Sequence, residues 1–379
     1  MHYLDNASTT KPCPEAVTAA VRAMTDDFGN PSSIHRLGTA AERLIEDARS
    51  EVAKAVRCRP EEIFFTSGGT EADNWAVFSS AYMLRHAGKH IITTAIEHEA
   101  VLNSCRRLES QGYTVTYLAP DAAGAVSAGD VERALREDTV LVSVMLVNNE
   151  NGAVAPIGEI SQVLKAARSR AVLHTDAVQG LMKVPVDARS LGADLISLSA
   201  HKVHGLKGCG ALYIRKSLRL PPFICGGGQE SGFRSGTQAV PQISAFGAAC
   251  SAGMADAGAA DRMAKLRDHI VGRLRAQIPD CVCLYGDAPH ILTVSIPGCP
   301  SQPTLNLLSQ KEIYVSAGSA CSRGKRSHVL TAMGIDPKVI DCAIRVSLSR
   351  FSTLEDADAL CDGLLDVRSS FVKSPGARR

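Results

Sequence analysis

What most constrains this chain is a rhythm: between about residues 60 and 215, short apolar runs alternate with amphipathic stretches of helical period. The runs are IFFT, HIITT, TVTYL, VLVSVMLV, AVLHTD, LISLSA and ALYIR, several of them β-branched and apolar on both faces. A strand with two apolar faces must be covered on both, which a parallel sheet flanked by helices achieves. Among the intervening segments, SAGDVERALRED carries Ser127 as the expected N-cap with Asp130 three residues on, a capping box with Asp in place of Glu or Gln. GEISQVLKAARSRA has the same helical pattern. The expectation is an α/β fold, a large domain built on a mostly parallel sheet.

After an Ala/Gly-rich stretch near 246–260 the rhythm changes to a helix, AKLRDHIVGRLRAQI, then the strands LTVSI, IYVSA and IRVSLS, and a last helix, TLEDADALCDGLLDVRSSF. That order predicts a second, smaller α+β domain from about residue 259. A length of 379 residues accommodates two such units without disulfide staples. The terminal SPGARR is expected to fray.

Lys and Arg number 41 against 39 Asp and Glu, a net charge of +2 that gives no reason to expect a nucleic-acid or membrane partner. No uncharged apolar run approaches the ~18 residues of a membrane span, and the opening MHYLDNAST lacks the basic and apolar regions of a secretory signal. A soluble, cytoplasmic protein is expected. Twelve cysteines are scattered without a CxxC pair, and the nearest approach is the CxC of Cys281 and Cys283, which alone makes no zinc site. In a reducing compartment most of them, Cys209, Cys225 and Cys342 included, read as free packing thiols.

Five segments carry chemistry. FFTSGGTEADN sets a Gly-rich turn between a strand and a helix, where open N–H groups and the helix dipole favour a phosphate and Thr70 adds a hydroxyl. AVLHTDAVQG ends a strand with Asp176 and Gln179, and LISLSAHK ends the next with Ser199, His201 and Lys202. Ligands of open α/β sheets sit at such carboxyl ends, so these groups converge on one crevice. A desolvated lysine there can form a Schiff base with a carbonyl cofactor, and an aspartate can pair with a protonated pyridine nitrogen. His98, in IEHEAV, supplies a flat face for the ring and titrates near neutrality. Read singly, these signals also fit a plain tight turn, a helix N-cap at Asp176, a solvated amine at Lys202 and a structural histidine; together they are the parts of pyridoxal-phosphate chemistry. In YVSAGSACSRGKRSHVL, Cys321 lies among Arg323, Lys325 and Arg326, cations that favour a reactive thiolate.

At this point the sequence resembles a known family. YLDNASTT, FGNPSSIH, FTSGGTEADN, EHEAV, VNNENGAV, HTDAVQ, SAHKVHGLKGCGALY, GGGQESGFRSGT and GSACS follow in the order found in cysteine desulfurases of the NifS/IscS type, within the class V aminotransferase group. The resemblance runs from residue 3 to residue 351. It implies the aspartate aminotransferase-like fold of pyridoxal-phosphate-dependent transferases. Residues 15–258 would form the large domain, and 1–14 with 259–379 the small domain that carries the reactive cysteine loop.

Carried over by position, Lys202 would hold pyridoxal 5'-phosphate, His98 would stack on its ring and help move protons, Asp176 would pair with the pyridine nitrogen and Gln179 with the phenolic oxygen. Gly69, Thr70, Ser199 and His201 would hold the phosphate, completed by Thr237 of a second subunit in a homodimer. Asn149 would stand near cofactor and substrate, and Arg345 would grip the substrate carboxylate. L-cysteine would become L-alanine as Cys321 takes the sulfur as a persulfide for a protein acceptor, with no metal involved.

The sequence departs from the family at Asn151, Leu206, Cys209 and Ser231, and its loop after Cys321 is short and basic, hinting at an acidic acceptor surface. The chain also stops before the tail that docks the iron–sulfur scaffold in housekeeping members. Iron–sulfur cluster biogenesis, tRNA thiolation and other destinations for the sulfur stay open. The rival readings are a selenocysteine lyase or other class V lyase or aminotransferase and, from a different class, a non-catalytic sulfur carrier or scaffold partner.

Overall fold

The computed structural model describes residues 1–318 and 326–372. Its strands are β1 (His2–Tyr3), β2 (Ile63–Thr66), β3 (His90–Thr94), β4 (Thr114–Leu118), β5 (Thr139–Ser143), β6 (Val172–Asp176), β7 (Leu195–Ser199), β8 (Gly210–Ile214), β9 (Val282–Leu284), β10 (Ile291–Ser295), β11 (Ile313–Tyr314) and β12 (Ala343–Ser347). The large sheet has seven strands in the order β2-β8-β7-β6-β5-β3-β4. β3 to β7 pair in parallel, and β8 alone runs against its neighbours β2 and β7. The mostly parallel sheet read from the sequence is present.

Consecutive residues of one strand enter different cores. Ile91, Leu141 and Leu195 pack with Trp75, Val101 and Leu212 on one face. Their neighbours Ile92, Val142 and Ile196 pack with Ile45, Ile157 and Phe246 on the other. That period-two split is why the strand sequences carry no polar face. Helix Gly69–Met83 supplies Trp75 to the first core, and helices Arg36–Ala55 and Val240–Ala255 supply Ile45 and Phe246 to the second. The Ala/Gly-rich stretch is thus largely helix. Gly247 lets it approach Arg36–Ala55 so closely that a Cβ there would lie 2.5 Å from the Ala48 Cα.

The three-stranded sheet β12-β10-β9 is antiparallel, and its core joins Leu4 to Ile270, Val294, Val346 and Leu360. Two strands here, β1 and β9, were not apparent in the sequence. Of the IYVSA run only Ile313–Tyr314 is strand, pairing in parallel with β1, while Ser316 makes an isolated antiparallel bridge to Arg345 of β12. VLVSVMLV leaves regular strand after Ser143, and at its far end the Asn148 side chain accepts from the Glu150 and Asn151 N–H groups to form a turn. Ser127 caps Ala128–Ala134 through the box with Asp130. The SPGARR end lies outside the described residues.

Of the cysteines among the described residues, Cys13, Cys105, Cys209, Cys250, Cys299, Cys342 and Cys361 are buried free thiols, as expected. Cys225 is exposed, which corrects its reading as a packing residue: the Gly-rich loop around it provides no core to enter.

Candidate active site

Lys202, His98, Asp176, Gln179, Gly69, Thr70, Asn149, Ser199, His201 and Arg345 all line one cavity of about 330 Å³. The sheet gathers them: Asp176 is the last residue of β6 and Ser199 the last of β7, while His98 follows β3 and Gly69 opens the helix after β2. Parallel strands leave their carboxyl ends on the same edge, so loops distant in sequence meet there.

One end of the cavity is a helix N-terminus. Helix Gly69–Met83 begins without a side-chain cap, leaving the N–H groups of its first turn open, and Gly68 before it has φ 157°. A Cβ on Gly69 would come within 2.8 Å of Val178 Cγ2 and 3.6 Å of Ser199 Cβ, so glycine keeps this cup open. His201 Nδ1 lies 3.1 Å from Thr9 Oγ1. Burial and the charges of Lys202, Lys207 and Lys183 push its pKa down to about 4, so the ring is neutral near pH 7.

Asp176 is buried and accepts from the Val178 N–H at 2.8 Å. Burial raises its pKa, against the opposing pull of His98 and Lys202. A cationic ring nitrogen beside it would restore the ionised form. His98 caps helix Glu99–Glu109, its Nδ1 accepting from the Ala100 N–H at 3.2 Å. Burial lowers its pKa. The neutral ring therefore carries its proton on Nε2, and taking up a second proton requires release of the Ala100 contact.

Lys202 Nζ donates to the Ala7 and Ser8 carbonyls at 2.6 and 2.7 Å, and Lys183 Nζ donates to the Lys202 carbonyl at 2.5 Å. Burial and the Lys202 charge push Lys183 down to about 7. Gln179 donates to Ala7 O at 2.9 Å, while its Oε1 is buried without a partner.

Across the cavity, Arg345 projects from β12. Its Nη1 donates to Asn149 O at 2.8 Å, and its Nη2 donates to Ser8 Oγ at 2.6 Å and Asp5 Oδ1 at 3.1 Å. Arg345 Nε and Asn149 Oδ1 are buried without partners. The residues suit pyridoxal phosphate: a glycine-opened helix N-terminus for an anion, an amine for an aldehyde, a buried carboxylate for a ring cation, and unpartnered polar atoms for the remaining contacts.

The cavity wall also includes Ser8, Asp73 and His328, which the sequence reading did not single out. Asp73 lay within TEADN and Ser8 within YLDNASTT, but nothing in either motif says that the side chain faces a ligand. Behind them, Glu97 is fully buried; its Oε1 accepts from the Thr94 hydroxyl at 2.8 Å and the Met145 N–H at 2.9 Å. Burial raises its pKa to about 8. Thr237 is exposed and does not line the cavity of its own chain. Cys321, Arg323 and Lys325 lie outside the described residues. Arg326 is paired with Asp341 at 2.7 and 2.8 Å, so this cation of the basic loop is already compensated.

The family model for aminotransferase class-V matches residues 2–360. The chain is 43% identical over 372 residues to a cysteine desulfurase IscS of Methanosarcina thermophila, covering 96% of this chain and 91% of that one. Among solved structures, a NifS-like protein superposes with a TM-score of 0.92 at 37% identity, covering 97% of this chain and 99% of the other. SspA in complex with cysteine gives 0.81 at 34% identity, covering 93% and 100%.

Proposed function

The chain belongs to the aminotransferase class-V family, and from that premise we propose that it is a pyridoxal-phosphate-dependent cysteine desulfurase, converting L-cysteine to L-alanine and passing the sulfur through Cys321. The observation that carries this is the meeting of Lys202, His98, Asp176 and the open helix N-terminus at Gly69 with Arg345 in one cavity. When bound, the cofactor supplies an aldehyde for amines and a ring that accepts an electron pair from the substrate Cα.

The protein's own groups do the rest. Gly69, Thr70, Ser199 and His201 hold the phosphate, Asp176 the pyridine nitrogen and Gln179 the phenolic oxygen. Lys202 Nζ, which donates to the Ala7 and Ser8 carbonyls, would hold the cofactor's aldehyde and, as a free amine, would take the Cα proton. His98 would support the ring and would donate from Nε2. Arg345 binds the substrate carboxylate, with Nε as an available donor and the guanidinium plane fixed by Asp5, Ser8 and Asn149 O. Cys321 attacks the substrate sulfur as a thiolate; the sulfur stays on Cys321 as a persulfide, and the electron pair of the broken C–S bond remains on the alanine carbon, which is then protonated.

Residues 15–258 form the large domain of this enzyme and 1–14 with 259–379 the small one. In support, β1 pairs with β11, and Leu4 packs in the same core as Ile270 and Leu360. The active unit is a cytoplasmic homodimer in which Thr237 serves the neighbouring subunit's phosphate. Its exposure outside its own cavity is what that role requires. The persulfide passes to a protein acceptor.

The test is a visible absorption spectrum of the purified protein before and after L-cysteine, with alanine and sulfide measured in the same tube. A cofactor band that shifts while both products appear in step is expected. Replacing Cys321 by Ala should abolish sulfide release and keep the band, and full activity in that variant would sink the proposal. Turnover of selenocysteine far above cysteine would favour the lyase.

A further inference from the structure

Neither Cys281 nor Cys283 lines the cavity, and the desulfurase chemistry uses neither. Cys281 immediately precedes β9 and Cys283 lies within it. β9 is the edge strand of the small sheet, with Cys283 in register with Val294 of β10. Residues two apart on a strand share a face, so the two thiols stand side by side with Val282 turned away. Their sulfurs are 3.8 Å apart, and both residues are half-buried at the margin of the core formed by Ile270, Val294 and Leu360.

That separation has a chemical meaning. Two thiolates bound to one ion at about 2.3 Å stand about 3.8 Å apart at a tetrahedral angle and about 4.0 Å apart in a trigonal site completed by one external ligand. The pair is thus already spaced for chelation, with no backbone movement. Among the described residues no group of three or more His, Cys, Asp or Glu side chains is arranged to hold a metal. A hard or strictly four-coordinate ion would lack ligands here, whereas a soft d10 ion is satisfied by two thiolates, with its open positions left to water or an external thiol.

We propose that Cys281 and Cys283 form a dithiol site for a soft, thiophilic ion of the Cu(I) class. Binding replaces two S–H protons by two metal–sulfur bonds, with no change of oxidation state.

The experiment uses the holoenzyme under anaerobic, reducing conditions. Cu(I) is titrated in competition with a chromophoric chelator, and phenylarsine oxide, which bridges two thiols and is held poorly by one, is followed by intact-protein mass. One equivalent of arsenical and one tight Cu(I) are expected in the wild type. Both should be lost in Cys281→Ser and in Cys283→Ser, with Cu(I) affinity down at least ~100-fold, while Cys225→Ser keeps them. Turnover of L-cysteine in the two serine variants should match the wild type, which reports that they fold. Unchanged Cu(I) and arsenical binding in both variants, no tight binding in the wild type, or Zn(II) bound as tightly as Cu(I) would each overturn the proposal.

Discussion

On the sheet side of the cavity each polar group stands at or just past the end of its own strand: Asp176 on β6, Ser199 on β7, Lys202 three residues beyond. Opposite, Arg345 on β12 is held by Asp5 and Ser8 from the N-terminal segment and by the Asn149 carbonyl from the large-sheet side. One wall is set by strand register within a single sheet. The other is assembled from three stretches distant in sequence, the N-terminal segment, the turn at Asn149 and β12. A ligand held by the first wall should therefore survive changes in the second.

The strongest challenge to that contrast is Lys202→Ala. It should cut desulfuration by ~10²–10⁴-fold or more and abolish the visible band of lysine-bound cofactor. Arg345→Lys should leave that band intact while weakening substrate binding by about 1.5–3 kcal/mol, a rise of roughly 10- to 150-fold in KM. Loss of the cofactor band in this variant would show that the walls are not separable.

Glu97 tests the rigidity of the sheet wall. Its folded pKa of about 8 lies above the ordinary value of 4.5, so its protonated form favours the native state at low pH. The wild type should lose that contribution as pH rises from about 4.5, with the loss complete above about 8. Glu97→Gln should match the wild type near pH 4 and be more stable at pH 9, by on the order of 1–3 kcal/mol, in denaturant melts. Equal stability at pH 9 would refute the shift. The smallest effect is expected from Asp5→Asn, which removes one charge behind Arg345 and should raise KM by about 0.5–1.5 kcal/mol, roughly 2- to 10-fold, at constant kcat.

Where a residue's surroundings follow from a local pattern, the sequence was enough. Short apolar runs marked β2 to β8, several of them without a polar face, and a Gly-rich turn, a strand-end aspartate and a strand-end lysine marked the cofactor wall, because one sheet carries all these ends to one edge. The Ser127 cap was legible because its partners lie within three residues. β1 escaped because a two-residue strand has no period, and the IYVSA run was read as one strand although only its first two residues pair with β1 while Ser316 bridges to Arg345 of β12. Cys225 read like any other cysteine in composition, and only the path of its loop exposes it.

The sequence by itself determined the alternation of strands and helices, most of the buried strand faces and the strand-end groups Asp176, Ser199 and Lys202 of the cavity, since each depends on residue type and short-range spacing. Only the tertiary structure decided that Arg345 would be clamped by Asp5 and Ser8, that Glu97 would be buried, and that Cys225 would be exposed. Those outcomes depend on which distant segments share the same few ångströms, and on the desolvation that such proximity imposes.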